Sequence, residues 1–213
     1  RGSDAAVGWG WARQLAARGF EVRVITREIN RADIERHASE SGTRPNLHFL
    51  SYDHRRLLPW LQRFKRKFRY FYYYAWQWGA YRLARRAHEI YDFDLVHHVT
   101  WVQARGPSFM GRLGIPFVFG PLAGGEAIPL RLRGAAGPQQ WMIELFRDVW
   151  SLVARVDPLV RRSFHEATRI MVTSENALKL TPKLARDKAH LHLALAYEPE
   201  GVTLALSAFT EAT

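Results

Sequence analysis

From Ala5 to Ala17 the apolar residues Val7, Trp11 and Leu15 recur every fourth position, which lays them along one side of a helix closed by Arg18-Gly19. Phe20 to Thr26 switches to alternation of apolar and charged residues and is rich in β-branched types, the signature of a strand. A polar helix or loop is expected from Asn30 to Ser41, and the next strand at Leu47 to Leu50. Leu57 to Ile90 reads as one long helix or two helices meeting near Gly79, with Phe64, Phe68, Phe71, Ala75 and Trp78 able to share a face. Three further apolar runs, Asp94 to Thr100, Pro116 to Phe119 and Arg169 to Thr173, each lead into a turn or helix signal: RGPSF, GPLAGG and SENAL.

Strand followed by helix, repeated along the chain, predicts an α/β fold: a Rossmann-like, mostly parallel sheet flanked by helices, because parallel strands need crossovers. In such a sheet ligands gather at the carboxyl ends of the strands. A doubly wound domain opens with a strand, so the first strand is expected to be missing ahead of Arg1-Gly2-Ser3-Asp4. The apolar tail VTLALSAFTEAT is expected to be an added strand, a truncation or a cloning remnant. Residues 1–195 form the expected domain and 196–213 an atypical tail.

With 213 residues, 47% of them hydrophobic, the chain can bury a sizeable core, which excludes overall disorder. The absence of cysteine excludes disulfide scaffolds, thiolate metal sites and cysteine nucleophiles. No apolar run reaches the roughly 18 to 20 residues that a bilayer-spanning helix needs. The expected setting is cytoplasmic, with a peripheral seat on the inner membrane face.

The formal net charge of +11 is concentrated in one place. Residues 54–90 carry ten arginines and lysines against the single Glu89, which is +9 of that total. Arg63, Lys65, Arg66, Lys67 and Arg69 sit there among tyrosines and tryptophans. Basic residues with interfacial aromatics suit an anionic membrane surface or a lipid-linked acceptor. The same composition fits a core helix with snorkelling arginines or, as the least favoured partner, a single-stranded nucleic acid. A non-catalytic binding module for anionic membrane or nucleic acid therefore stands as the alternative to an enzyme.

Candidate chemistry lies at three turns. The opening RGSDAAVGWG places Gly2 and Ser3 before a helix N-terminus, where backbone N–H groups can receive phosphate oxygens or Ser3 and Asp4 can simply cap the helix. Arg13 stands where a dinucleotide fingerprint would need its third glycine, which disfavours a nicotinamide-dependent oxidoreductase. In DLVHHVTW, alternation sends His97 and His98 to opposite faces of a strand, so they do not pair as metal ligands, and either can orient or deprotonate a hydroxyl or serve as a hydrogen-bonded core group. In PFVFGPLAGGE, Gly124 and Gly125 leave room for a sugar or phosphate, or make a tight turn, and Glu126 is the one carboxylate that could accept from sugar hydroxyls.

Taken in order, GSDAAVGWGWARQLAARGFEVRVIT, DFDLVHHVTW, LGIPFVFGPLAGGE and ATRIMVTSENALKL resemble the N-terminal half of glycosyltransferase family 4 over roughly residues 1 to 195. The resemblance implies a GT-B architecture, in which two Rossmann-like domains face each other, this one mainly holding the acceptor. It implies transfer of a hexose, with retention, from a nucleotide-sugar donor to a lipid-linked or polysaccharide acceptor. Neither a cofactor nor a metal is expected. Gly2 and Ser3 would approach the donor phosphates, His98 or His97 the reacting sugar, and Gly124, Gly125 and Glu126 the acceptor. Two features depart from the family: the histidines are adjacent, with Val99 at the family's second position, and no two glutamates stand eight apart. The fragment alone is expected to be inactive, with donor binding assigned to a missing C-terminal domain.

Overall fold

The structure, a computed structural model, describes residues 3–41, 44–53, 69–100, 104–124 and 137–192. It is a mixed α/β fold in which parallel strands are flanked by helices, consistent with a Rossmann-like domain. Helix α1 (Ser3–Ala17) leads into strand β1 (Val22–Thr26), then α2 (Arg31–Ser41) and β2 (Leu47–Ser51). Helix α3 (Arg69–Tyr91) precedes β3 (Val96–His98) and β4 (Phe117–Leu122). Helices α4 (Gly137–Val156) and α5 (Pro158–Glu166) then lead to β5 (Arg169–Val172), α6 (Glu175–Leu180) and β6 (Ala189–Leu191).

All pairings among the described strands are parallel. β1 pairs with β2, Val22 opposite Leu47, and a four-stranded sheet runs β3-β4-β5-β6, with Val96 opposite Phe117 and Ile170 opposite Ala189. Both sheets share their covering helices. On one face α1 packs Ala12 and Ala16 with Leu47, and its Trp11 ring stands edge-on to His97 of β3 at 5.0 Å. On the other, α3 bonds Trp76 Nε1 to the Tyr52 carbonyl and brings Gln77 to His98. The two sheets, β1-β2 and β3-β4-β5-β6, are joined by no strand pairing among the described residues. The residues of β1 and β3 are correspondingly half-buried, whereas Phe117, Phe119, Leu122, Ile170 and Val172 on β4 and β5 are sealed.

Burial of each of those large side chains contributes about 1.5 to 3 kcal/mol, so the core is centred on β4 and β5 and the surfaces of α3 and α5 that cover them. Helix α3 runs unbroken through Gly79; of the residues expected to share a face, Phe64 and Phe68 lie outside the described residues. Phe71 and Trp78 are exposed, while Tyr72, Trp76, Ala80, Ala84 and Ala87 face inward. Small side chains at 80, 84 and 87 let the helix lie close to the sheet, and the buried tyrosines find acceptors: Tyr72 Oη donates to Asp53 and Tyr73 Oη to the Pro107 carbonyl. Gly79 itself is a close approach, since a β-carbon there would fall 1.9 Å from Tyr52 Oη. Among the described residues no helix is long and apolar enough to cross a membrane.

Candidate functional site

The carboxyl ends of β3 and β4 bring together several residues that sequence reasoning singled out. His97 and His98 point to opposite faces. His97 Nε2 donates to the Gly120 carbonyl at 2.8 Å beneath the Trp11 ring. Burial holds this imidazole below the ordinary histidine range, and the bond to Gly120 opposes the shift. His98 turns towards α3, with Nε2 3.3 Å from Gln77 Nε2 and its ring 5.9 Å from Phe119. Its Nδ1 is sealed from solvent without a hydrogen-bond partner. Burial first, then the neighbouring His97, push its pKa down to about 4, against a small opposing contribution from the Thr100 backbone. At neutral pH both rings are uncharged, so neither is a standing positive charge for a substrate anion.

Just beyond β3, Thr100 meets α1. A β-carbon added to Gly8 would lie 2.8 Å from Thr100 Cγ2, so the glycine lets the first turns of α1 close onto the strand end. Beyond β4, Gly124 has φ +132, where a side chain is strained, and its nearest neighbours are Ala104 Cβ and Leu180 Cδ1, each at 3.8 Å from where a β-carbon would stand. The loop holding Ala104 is fixed by Ala104 N–H donating to the Ala123 carbonyl at 3.2 Å and by a pair of bonds between Ser108 and Ser163 at 2.8 Å. The α1 and Gly124 turns thus border the same strand ends.

Against Gly124's neighbours Ala104 and Leu180 opens a cavity of about 280 Å³. Arg105, Arg155, Arg161, Lys179, Lys183 and Arg186 line it, and among the described residues no carboxylate does. Buried Ala104, Ala154, Val160, Phe164 and Thr181 also line it, giving it an apolar floor. Local sequence builds each wall. Asp157 caps α5 by accepting from the Leu159 and Val160 amides, with Pro158 in the first turn. Ser174 caps α6, and Arg186 donates to the Thr181 and Lys179 carbonyls at 3.2 Å, securing the chain after α6. Among the described residues Arg155, Arg161, Lys179 and Lys183 have no ion-pair partner. Six cations around one opening repel one another and make the cavity electropositive.

Sequence reasoning missed this cavity. Its cations come from four separate segments, spaced along helices and turns that each look like ordinary solvated surface, and only the fold converges them. Of the other expected site residues, Gly2, Gly125, Glu126, Arg63, Lys65, Arg66 and Lys67 lie outside the described residues, and the side chains of Ser3 and Arg69 are likewise not described. Among the described residues no three His, Asp or Glu side chains cluster as a metal ligand set. No protein-family model, curated protein or solved structure matches the chain.

Proposed function

We propose that this chain is the acceptor-side domain of a retaining glycosyltransferase of GT-B architecture. The complete enzyme would move a hexose from a nucleotide sugar to a lipid-linked or polysaccharide acceptor. The observation that carries the reading is the basic cavity beside Gly124 at the carboxyl ends of parallel strands, the position where α/β sheets bind ligands. Glycosyl transfer needs an acceptor hydroxyl held in line with the anomeric carbon and fixed donors facing phosphate oxygens. On this reading the cavity holds a phosphate or diphosphate of the acceptor, next to the Gly124 turn. His97 and His98, neutral and packed, set the shape of the strand end, while Gly2 and Ser3 keep the donor-phosphate role that the resemblance gives them.

Calorimetric titration with a short isoprenyl diphosphate-linked monosaccharide tests the proposal. Saturable binding, weakened at least about tenfold by Arg161→Glu with Lys183→Glu, is the expected result. The purified chain should turn over little or no donor, since the resemblance assigns donor binding to a second domain. No affinity for the sugar diphosphate, or tighter binding of NAD or an oligonucleotide, would overturn the assignment.

A further inference from the structure

Helix α4 is built inside out. The side it turns inward carries Glu144, wholly buried, with Gln140, Ser151 and Ala154. The side it turns to solvent carries Trp141, Met142, Leu145, Phe146, Val149, Leu152, Val153 and Val156, each between 44% and 69% exposed. At 100° per residue these eight fall within an arc of about 140°, along a ridge about 22 Å long. Water-soluble helices place such a stripe against a core, and an exposed apolar patch of this extent marks an interaction surface.

Charge indicates the partner. Ser151, Ala154 and Arg155 of the same helix line the basic cavity, with Arg155 at the border between cavity and apolar stripe. Lys179 and Lys183 line the same cavity, with no carboxylate among its described lining residues. A convex apolar ridge with a tryptophan, flanked by cations that have no ion-pair partner among the described residues, has the two properties that seat a helix in the plane of an anionic bilayer. The apolar side chains enter the acyl boundary, and the cations meet lipid phosphates. A protein partner would instead have to supply a long groove to receive the ridge.

We propose that the outer face of α4, with the cations of the adjoining cavity, docks this protein onto an anionic phospholipid surface. The surface differs from the one that composition indicates: residues 54–68 lie outside the described residues, and the buried aromatics of α3 belong to the core. The inference stands without the glycosyl-transfer reading, and its test involves no sugar, so either can fail alone.

Cosedimentation with phosphatidylcholine vesicles, with and without about 30% phosphatidylglycerol, reads the affinity directly. The anionic vesicles should bind at least about tenfold more tightly, and high salt should erase that preference. Phe146→Glu with Val149→Glu should abolish binding to both compositions, while Lys179→Glu with Lys183→Glu should remove only the preference for anionic lipid. Because the chain has no cysteine, Met142→Cys offers a single site for a polarity-sensitive fluorophore that needs no disruptive charge. Its emission should shift to the blue on anionic vesicles, and that of Ile90→Cys, at the far end of α3, should not. Absence of binding, binding indifferent to both variant pairs, or an unshifted Met142→Cys label would refute the proposal. So would a concentration-dependent dimer abolished by the Phe146 and Val149 pair without any vesicle binding, which would make the ridge a contact between copies.

Discussion

Nε2 of Gln77 lies 3.3 Å from Nε2 of His98, so the helix on one face of the sheet is bonded to the last residue of β3. With the amide donating, His98 must accept at Nε2 and keep its proton on Nδ1, an arrangement available only to the neutral ring. The imidazolium would place two donors against each other in a site closed to water.

That relationship sets a pH dependence. His98 titrates near 4 in the folded chain against 6.5 when unfolded. Between those values the unfolded state binds more protons, so stability is fully present above pH 6.5 and is lost as pH falls towards 4. The expected loss between pH 7 and pH 5 is about 2 kcal/mol. Urea denaturation across this range should show it, and His98→Gln should flatten most of the slope.

The contact between Gly8 and Thr100 predicts a change of sign. In an exposed helix interior, glycine to alanine stabilises by about 0.5 to 1 kcal/mol. Here the new methyl would strike Thr100 Cγ2, so Gly8→Ala alone should destabilise. With Thr100→Ala already in place, the same substitution should stabilise. A double-mutant cycle by thermal melting resolves the coupling, and additive effects would count against a close approach of α1 to the strand end.

Gly120 is the least replaceable glycine among the described residues. Its φ is +129, and an added β-carbon would sit 2.2 Å from the Met171 carbonyl oxygen, which belongs to the neighbouring strand and cannot rotate away. Gly120→Ala should cost about 3 kcal/mol or more, read as a fall in denaturation midpoint.

The cavity predicts stabilisation by pyrophosphate. At one hundred times its dissociation constant a ligand adds about 2.7 kcal/mol, which for a chain of this size raises the melting temperature by about 5 to 10 °C. Arg161→Ala with Lys183→Ala should abolish the shift. Without ligand the same pair should melt at or slightly above the wild-type temperature, because like charges have been removed.

The α/β class and five of the described strands, with their mostly parallel arrangement, could be read where the pattern was local. Val22–Thr26 and Leu47–Ser51 alternate, Phe117–Leu122 is a buried run, and SENAL announces the cap at Ser174. Elements governed by distant packing could not. Strand β6 is three residues long with a histidine at its centre, so nothing in AHL distinguishes it from a turn. On α3 the positions Phe71, Ala75 and Trp78 compete with an equally regular Tyr72, Trp76, Ala80, Ala84 stripe, and only packing against the sheet favours the second set. Helix α4 has the periodicity of a core helix yet faces its apolar side outward, which periodicity cannot foresee. The histidine pair was placed on opposite faces by strand pleating alone, whereas the loss of positive charge at His98 depends on burial under α3.

On the proposed function a phosphorylated saccharide is held where β3 and β4 end. Amide chemical shifts of isotopically labelled protein, followed while a sugar diphosphate is added, test it residue by residue. The account predicts saturable shifts at Ala104, Gly124, Leu180 and Thr181, with smaller ones at Thr100. Shifts confined to the opposite pole, at Phe117, Arg169 and Ala189, or none at all at millimolar ligand, would contradict it.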